Sequence, residues 1–194
     1  MQETATSPRS ATAPSPWVKR FLPLIKPGGL VLDLAAGSGR HVRLLRECGF
    51  AVRAIDRDTT ALLAFAGPRC EVRRIDLETD DKSQLGNDYD GIIVSNYLHR
   101  PLLSAIACAL APGGVLIYES FARGNERFGR PRNPDFLLRP GELLEAFTTL
   151  TVVAFEQGEV SLPRPAVIQR LAAVLGPMGP LPEAVNLDIR RSTG

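Results

Sequence analysis

A glycine-rich segment that joins a strand to a helix is the first place where the residue types suggest binding chemistry. It reads Val31-Leu-Asp-Leu-Ala-Ala-Gly-Ser-Gly39. The small residues at positions 35, 37 and 39 let the backbone approach a ligand closely, and the N-terminus of the following helix offers unpaired N–H groups. The segment follows a predicted parallel strand, at the edge where open α/β sheets bind ligands. A tight turn that binds nothing is the alternative interpretation.

An acidic residue at the end of the next strand strengthens the binding interpretation. Asp56 follows Gly39 by 17 residues, and a carboxylate in this position can accept hydrogen bonds from both hydroxyls of a ribose. An Asx-type turn with Asp58 is the alternative role. From Gly37 the chain reads Gly-Ser-Gly-Arg-His-Val, so the third glycine of the dinucleotide fingerprint is missing. The pattern therefore favours a nucleotide-type ligand but does not support a pyrophosphate site.

Four motifs together resemble those of the class I methyltransferases that use S-adenosylmethionine (SAM). They are Asp33-x-Ala-x-Gly-x-Gly39, Asp56 after the second strand, Asp76-Leu77 after the third, and Pro112-Gly-Gly114 before the fifth. The resemblance covers roughly residues 17–174. It extends to compact bacterial members, including the tellurite-resistance type, which carry Gly-x-Gly-Arg as at positions 37–40. It implies a methyltransferase with SAM as its cofactor and without a metal.

The resemblance also implies roles for individual residues. Those expected to contact the cofactor are Asp33, Ala35, Gly37, Gly39, Arg40, Asp56, Asp76, Leu77 and Asn96. Asp33 would orient the ammonium group of SAM, and Arg40 would bind the SAM carboxylate. A surface arginine on the first turn of the helix is the alternative role for Arg40. Asp76 would accept from the adenine amino group, and the backbone carbonyl of Asn96 would face the ammonium. Ala35 departs from the glycine that the family often has.

The methyl acceptor is harder to read, because in-line transfer from a sulfonium depends mainly on positioning and requires no acid–base pair. Tyr97 and His99 follow the fourth strand, where the resemblance places residues that face the transferred methyl, and they are the candidate catalytic residues. His99 is a general base in one interpretation and packs at the start of the next helix in the other. The segment Ser95-Asn-Tyr-Leu98 is not the Asn-Pro-Pro-Tyr type, and no Pro-Cys pair or acidic metal cluster is present.

The loop from Arg123 to Arg139 is unusually basic. It contains five arginines and two phenylalanines but only two acids. As a lid over the site it could hold an anionic acceptor, and arginines interleaved with aromatic residues could contact RNA. A solvated loop whose arginines pair with local acids and carbonyls is the alternative interpretation.

The elements that must position these residues alternate between strands and helices. Strands are predicted near residues 30–35, 51–56, 71–75, 90–95, 115–121, 150–155 and 167–174. Helices are predicted over 17–25, from Arg40 towards Gly49, from Thr59 or Thr60 through Phe65, over 102–110 and over 140–147. This alternation predicts an α/β fold with a doubly wound, mostly parallel sheet, Rossmann-like and seven-stranded, with an antiparallel edge hairpin.

Length and composition predict one globular domain. The chain has 194 residues, 23 basic and 21 acidic, and a net charge of +2, which gives no global field for nucleic acid. Cys48, Cys70 and Cys108 lack metal-type spacing and predict packing roles in a reducing, cytoplasmic compartment. No apolar run is long enough to span a membrane.

The domain organisation predicted from the sequence has three parts. They are a disordered tail over 1–16, a SAM-binding methyltransferase domain over 17–176 and a proline-rich extension over 177–194. The leading functional prediction is methyl transfer to a small-molecule acceptor. An RNA or protein methyltransferase that uses the Arg123–Arg139 loop, and a SAM-binding module without catalysis, are the alternatives. The oligomeric state is left open.

Overall fold

The computed structural model describes residues 13–79, 82–161, 164–182 and 185, with only the backbone at positions 82 and 83. Seven strands form one sheet in the order β3-β2-β1-β4-β5-β7-β6. Their bounds are β1 Leu30–Leu34, β2 Ala51–Asp56, β3 Cys70–Arg74, β4 Tyr89–Ser95, β5 Leu110–Phe121, β6 Thr151–Val160 and β7 Ala166–Val174. The first five strands are parallel, whereas β7 lies antiparallel between β5 and β6. The predicted fold class, including the edge hairpin, is confirmed.

Four short α-helices accompany the sheet. They are α1 Pro16–Phe21, α2 Arg40–Glu47, α3 Leu103–Cys108 and α4 Glu142–Ala146. The helix predicted from Thr59 or Thr60 is wrong in extent, because only a 3-10 turn forms there, Leu63–Phe65. Asp58 takes the capping role instead, since its Oδ1 accepts from both the amide and the hydroxyl of Thr60. This side-chain turn competes with a regular helix start.

Both faces of the sheet are buried, which explains why its central strands are almost continuously apolar. Successive residues of a strand point to opposite faces. In β1, Leu32 and Leu34 therefore pack with α3 and α4 on one face, whereas Val31 packs with α1 and α2 on the other. The two faces enclose separate apolar clusters that hold the carboxyl ends of the strands in fixed register.

The N-terminal helix begins earlier than the predicted domain boundary at residue 17. The Ser15 Oγ accepts from the amides of Trp17 and Val18 at 3.1 and 3.4 Å, and Ser15 itself is buried. Its amide donates to His41 Nε2 at 3.2 Å, which ties the N-terminal segment to α2. Residues 1–12 of the predicted tail lie outside the described part of the chain.

The proline-rich C-terminal segment contributes to the core. Val185 is 2% exposed and belongs to the same apolar cluster as Trp17. Residues 183–184 and 186–194 of the predicted extension lie outside the described residues. No helix among the described residues is long and apolar enough to cross a membrane. The cysteine prediction needs one correction, because Cys48 and Cys108 are exposed and only Cys70 is buried.

Candidate functional site

A cavity of about 300 Å³ opens at the carboxyl ends of β1, β2 and β3. Its lining residues come from the segments that follow these strands and from the end of β4. They are Ala35, Asp56, Arg57, Ile75, Asp76, Leu77, Glu78 and Tyr97. Four of the predicted cofactor residues, from three separate segments, are thus brought together with one of the two predicted catalytic residues. We call this the first cavity.

The turn after β1 adopts a conformation that most residues avoid. Ala35 has φ +55°, and Gly37 and Gly39 also have positive φ. For a residue with a Cβ this conformation costs about 1 kcal/mol, whereas a glycine, which the resemblance leads one to expect here, would adopt it freely. The turn is nevertheless fixed, since the Ala36 amide donates to the Ile55 carbonyl at 3.0 Å.

The two glycines of this turn have different roles. Gly37 is exposed, and a Cβ placed there would meet no atom within 4 Å. Gly39 is buried, and a Cβ would lie 2.5 Å from the Phe65 ring. Gly39 is therefore needed for packing against the segment after β2, whereas Gly37 leaves the backbone open to solvent.

Asp56 connects the turn after β1 to the end of β2. Its Oδ2 accepts from the Gly37 amide at 2.8 Å, and its Oδ1 accepts from the Asp58 amide at 3.0 Å. The alternative Asx-type turn is therefore present. The Asp56 carboxylate can still bind a ligand, because each of its oxygens can accept a second hydrogen bond. The same carboxylate lines the first cavity.

Asp76 shapes the segment after β3. Its Oδ1 accepts from the Glu78 amide at 3.0 Å, and its carbonyl accepts from the Thr79 hydroxyl at 3.0 Å. These bonds close a tight turn that holds Asp76, Leu77 and Glu78 along the wall of the first cavity. Three carboxylates, including Asp56, face one arginine, Arg57, in that wall, so its charge is negative.

Asp33 lies on β1 beneath this edge and is 1% exposed. Its Oδ2 is buried without a hydrogen-bond partner. Burial raises the pKa of Asp33 from 3.8 to about 7, although the nearby Arg40 partly lowers it. His41 Nδ1 lies 3.9 Å from Asp33 Oδ1, too far for a hydrogen bond. Burial lowers the pKa of His41 to about 3, so this histidine is neutral and offers Asp33 no counter-charge.

Arg40 begins α2 and points back to β4. One of its guanidinium nitrogens donates to the Ser95 hydroxyl at 2.7 Å, and Ser95 donates to Glu119 on β5 at 3.1 Å. Arg170 on β7 completes the chain through Glu119 at 3.2 Å. Arg40 is thus held by the sheet with part of its guanidinium unengaged by the described residues, in contrast to a freely moving surface arginine.

A second cavity, of about 210 Å³, adjoins the first. Its lining residues are Glu78, Asn96, Tyr97, Leu98, Ser120, Phe121, Pro131 and Phe136. Glu78 and Tyr97 line both cavities and mark their boundary. The Tyr97 hydroxyl is buried without a hydrogen-bond partner, whereas the Tyr97 carbonyl accepts from the Tyr118 hydroxyl at 2.9 Å. Burial, and then the negative charges of Glu78, Asp76 and Asp56, raise the pKa of Tyr97, so its phenol is neutral.

The two other candidates after β4 differ in position. Asn96 has φ +57° and lines the second cavity, and its amide donates to the Glu119 carbonyl at 2.9 Å. His99 has an extended backbone, and its carbonyl accepts from the Leu102 amide at 3.0 Å at the start of a 3-10 turn. His99 lines neither cavity.

The Arg123–Arg139 loop is anchored on both sides of the second cavity. Its backbone pairs with the end of β5, where the Leu138 amide donates to the Phe121 carbonyl at 2.9 Å. Arg100, just after β4, donates to the carbonyls of Asp135 and Leu137 at 2.7 and 3.0 Å. These two carbonyls flank Phe136, so Arg100 fixes the segment that carries this ring into the cavity wall.

Glu142 at the start of α4 holds Arg100 in turn. Arg100 Nε and a terminal nitrogen donate to its two carboxylate oxygens at 2.7 and 3.0 Å, and the Arg139 amide donates to it at 2.7 Å. Burial alone would raise the pKa of Glu142, but the hydrogen bonds from Arg100 and Arg139 lower it overall. Glu142 is therefore a buried, ionised anchor for the loop.

Known structures resemble this architecture closely although their sequences differ. No family model matches the sequence, and no curated protein matches it. TehB from Haemophilus influenzae superposes with a TM-score of 0.72 at 16% identity, over 87% of this chain and 64% of that one. This chain thus spans less than two thirds of the TehB chain.

A second similar structure is a Burkholderia thailandensis 1,6-didemethyltoxoflavin-N1-methyltransferase with bound 1,6-didemethyltoxoflavin and S-adenosylhomocysteine. It superposes with a TM-score of 0.62 at 21% identity, over 82% of this chain and 76% of that one. The chain has the fold of the class I SAM-dependent methyltransferases. The [4+2]-cyclase SpnF also matches, with a TM-score of 0.61 at 14% identity over 81% of this chain and 77% of that one. Because a cyclase shares this methyltransferase fold, the reaction has to be argued from the site.

Within this methyltransferase fold the predicted residues separate by position. Ala35, Asp56, Asp76, Leu77, Asn96 and Tyr97 line the cavities. The predicted residues that line neither cavity are Asp33, Gly37, Gly39, Arg40 and His99. Two of them interact with the lining residue Asp56: the Gly37 amide donates to its carboxylate, and its charge helps to raise the pKa of Asp33.

Sequence reasoning missed several lining residues. Arg57, Ile75 and Glu78 are neighbours of the predicted aspartates, and the Asp-x-Glu spacing of a side-chain turn was a usable signal for Glu78. Phe121 lines the second cavity from the end of β5, whereas Pro131 and Phe136 reach it through the tertiary anchoring of the loop.

Proposed function

We propose that this protein is a SAM-dependent methyltransferase that acts on a small molecule. The observation that carries the proposal is the pair of adjoining cavities, which meet at Tyr97 and Glu78. One cavity has the acidic strand-end residues of a nucleoside site, and the other is a smaller space beside it. Group transfer between two bound molecules requires this adjacency.

The residues present fit SAM as the cofactor. SAM supplies a methyl group on a positively charged sulfonium sulfur. In our proposal Asp56 accepts from the ribose hydroxyls, and Asp76 accepts from the adenine amino group with the Leu77 amide beside it. The turn from Ala35 to Gly39 follows the methionine part.

Asp33 and Arg40 complete the proposed cofactor site at the methionine end. The buried, unpartnered Asp33 Oδ2 is suited to a cation that the ligand provides, because a buried charge needs a partner. Arg40, held by Ser95, is suited to the carboxylate, and the Asn96 carbonyl to the ammonium. The negative wall of the first cavity complements the sulfonium charge.

On the acceptor side, Tyr97 and His99 are the proposed catalytic residues. The unpartnered Tyr97 hydroxyl lies where the two cavities meet and can donate a hydrogen bond to an acceptor molecule. His99 follows by two residues, and its imidazole is the proposed general base. Neither group is required for bond formation itself, since holding the acceptor in line with the methyl group provides most of the acceleration.

A small acceptor follows from the size of the second cavity. At about 210 Å³ it is smaller than the pockets of about 300–1,000 Å³ that hold drug-sized ligands. The Burkholderia thailandensis enzyme of similar fold likewise binds a small acceptor. The free cysteines favour a reducing compartment such as the cytoplasm.

One observation favours a second candidate, an RNA methyltransferase. Arg123, Arg130 and Arg132 are exposed and form no salt bridge with any residue that the structure describes. Unpaired arginines on a loop at the site can neutralise phosphates. Methylation of RNA would weaken steeply as salt rises, whereas methylation of a small uncharged acceptor would change little.

Isothermal titration calorimetry of the full chain tests the proposal. SAM and S-adenosylhomocysteine should bind, and NAD should not, because the third glycine of the dinucleotide motif is absent. Turnover with a library of small acceptors, followed by mass spectrometry for the addition of one methyl group, tests the reaction. Binding of SAM without transfer to any acceptor would instead support the non-catalytic module.

A further inference from the structure

The lining of the second cavity is mainly aromatic and apolar. Tyr97, Phe121 and Phe136 supply three rings from three different segments, and Leu98 and Pro131 add apolar surface. Rings in such a wall pack best against another flat ring, in offset or edge-to-face contact. The volume of about 210 Å³ limits the occupant to one or two fused rings.

Charge in this lining is negative. Glu78 is its only ionisable lining residue apart from the neutral Tyr97. The turn closed by Asp76 fixes the Glu78 backbone at the boundary with the first cavity, and the Glu78 charge acts on the Tyr97 phenol. The remaining polar groups are Asn96 and Ser120, and Ser120 is 3% exposed with no hydrogen bond from its hydroxyl to any described residue.

Four of the arginines around the cavity are directed to other partners, and the three that form no salt bridge with a described residue, Arg123, Arg130 and Arg132, do not line the cavity. Arg100 is committed to Glu142 and to two carbonyls, and Arg139 also pairs with Glu142 and with Glu145. Arg127 pairs with Glu159 at 3.2 Å. Arg164 lies over the Phe121 ring, 5.8 Å from its centroid, and so presents its charge to a π face. An anionic acceptor in the cavity would meet Glu78 and no arginine among the lining residues.

We infer that the methyl acceptor is a one- or two-ring aromatic amine or nitrogen heterocycle, neutral when it binds and cationic after transfer. The inference rests on the proposed methyltransferase function. Three observations support it: the aromatic side chains of Tyr97, Phe121 and Phe136 line the second cavity, Glu78 lies where the two cavities meet, and the lining residues of the second cavity include no lysine, arginine or histidine.

The charge balance of the step explains the role of Glu78. The lone pair of the ring nitrogen forms the new N–C bond while the S–C bond breaks and its electrons return to sulfur. The positive charge therefore passes from sulfur to nitrogen. Glu78 lines both the cavity proposed for SAM and the cavity proposed for the acceptor. Its carboxylate therefore stabilises the positive charge on sulfur before transfer and on nitrogen after transfer. Where the nitrogen carried a hydrogen, the cation then loses that proton to the proposed general base, His99.

Three bicyclic probes of similar shape and different charge test the inference. They are quinoline, the product-like cation N-methylquinolinium, and the anion 2-naphthoate, each titrated into the protein saturated with S-adenosylhomocysteine. We expect quinoline and N-methylquinolinium to bind at least about tenfold more tightly than 2-naphthoate. Phe136→Ala should weaken the two favoured probes by about threefold to tenfold, because a ring contact is lost.

The Glu78→Gln variant separates charge from shape. It should reduce the preference for N-methylquinolinium over 2-naphthoate to within about threefold. Glu145→Gln, an exposed α4 carboxylate outside the lining, is the matched control and should leave the preference unchanged. Equal or tighter binding of 2-naphthoate overturns the inference, as does an unchanged preference in Glu78→Gln or no binding of any probe at about 1 mM. Failure of S-adenosylhomocysteine to bind would instead refute the proposed function.

Discussion

Two aspartates near the carboxyl ends of neighbouring strands show how burial assigns different chemistry to one residue type. Asp56 is partly exposed, and its carboxylate accepts from two backbone amides. Asp33 is buried with one oxygen unpartnered, and its pKa rises to about 7. In the proposed site Asp56 recognises neutral hydroxyls, whereas Asp33, with its raised pKa, is fully ionised near neutral pH only when a cation binds beside it.

Replacing Asp56 by alanine should weaken SAM binding by about 1.5–3 kcal/mol, the usual effect of losing hydrogen bonds to a charged group. Calorimetry measures the change. Because Asp56 also holds the turn at Gly37 and Asp58, Asp58→Ala is the control that disturbs the turn and keeps the carboxylate. Unchanged affinity in Asp56→Ala, or an equal loss in Asp58→Ala, would contradict the ribose assignment.

SAM affinity should rise with pH between about 5.5 and 7.5, because Asp33 must ionise to pair with the ammonium. In the free folded protein its pKa is about 7, so below that pH the carboxyl is mostly protonated and binding releases a proton. The SAM affinity should increase by almost tenfold per pH unit below about pH 6 and should stop increasing above about pH 7. The ammonium group of SAM remains charged over this range, because an α-amino group has a pKa of about 7.7–8.0.

Titrations in two buffers of different ionisation enthalpy count the released proton. Asp33→Asn should bind SAM more weakly and with a flat pH profile. The same shift makes the free protein less stable as pH rises from about 4 to 7, since the unfolded chain loses this proton first. A pH-dependent affinity that persists in Asp33→Asn would show that another group titrates.

Tyr97→Phe and His99→Ala should leave SAM affinity within about twofold, because Phe keeps the ring that lines the first cavity and His99 lines neither cavity. Turnover on a true acceptor should fall, by about 10²-fold for His99→Ala if that residue removes a proton in the slow step. Tyr97→Phe should also raise the free energy of unfolding by about 1 kcal/mol, since it removes a buried, unpartnered hydroxyl. Urea unfolding measures this gain, and a loss of stability would place an unseen partner on the hydroxyl.

At the scale of secondary-structure elements, the sequence predicts strands better than it predicts loops. Strand residues such as Val31 and Ile93 are apolar on both faces, and this local pattern is enough to locate them. The basic loop has no periodic pattern, yet it is held by Arg100 and Glu142, which lie 42 residues apart. Such a pairing leaves no local signal, so the sequence offers the loop as a lid without indicating that Phe136 is the ring that lines the second cavity.

Arg100→Lys should loosen the loop. Lysine cannot form the paired hydrogen bonds to Glu142 and also reach the carbonyls of Asp135 and Leu137. Hydrogen exchange of residues 134–138 should accelerate, and the free energy of unfolding should fall by about 1–3 kcal/mol. Binding of S-adenosylhomocysteine should not change.

Arg127→Lys is the matched control in the same loop. Its partner Glu159 is exposed, as Arg127 is, and exposed ion pairs contribute only about 0–1 kcal/mol. Equal exchange rates in the Arg100 and Arg127 variants would mean that Arg100 does not hold the Phe136 segment.

At the scale of the whole molecule, the strand order explains where the site lies. Connections run outward from β1 to β2 and β3 on one side and to β4 and β5 on the other. Loops from β1 and β4 therefore diverge at the carboxyl edge, and open α/β sheets bind ligands in the crevice at this switch point. Ala35 and Asn96, both with positive φ, directly follow these two strands, and each lines one of the two cavities.

The C-terminal segment is the part of the molecule where the predicted boundary at residue 177 can be tested. Val185 is buried in the cluster that contains Trp17, and its amide donates to the Pro182 carbonyl at 2.9 Å. Removing residues 183–194 should lower the free energy of unfolding by about 1.5–3 kcal/mol, the value of one buried aliphatic side chain. Val185→Ser should reproduce most of the loss, whereas Met178→Ser, at a side chain that is 46% exposed, should stay within about 0.5 kcal/mol. Urea unfolding measures the three variants. A loss of stability in the truncated protein and in Val185→Ser would show that the C-terminal segment is part of the core, and unchanged stability would show that it is a dispensable extension. SAM affinity should be equal in all of them, because this cluster lies on one face of the sheet and does not line either cavity.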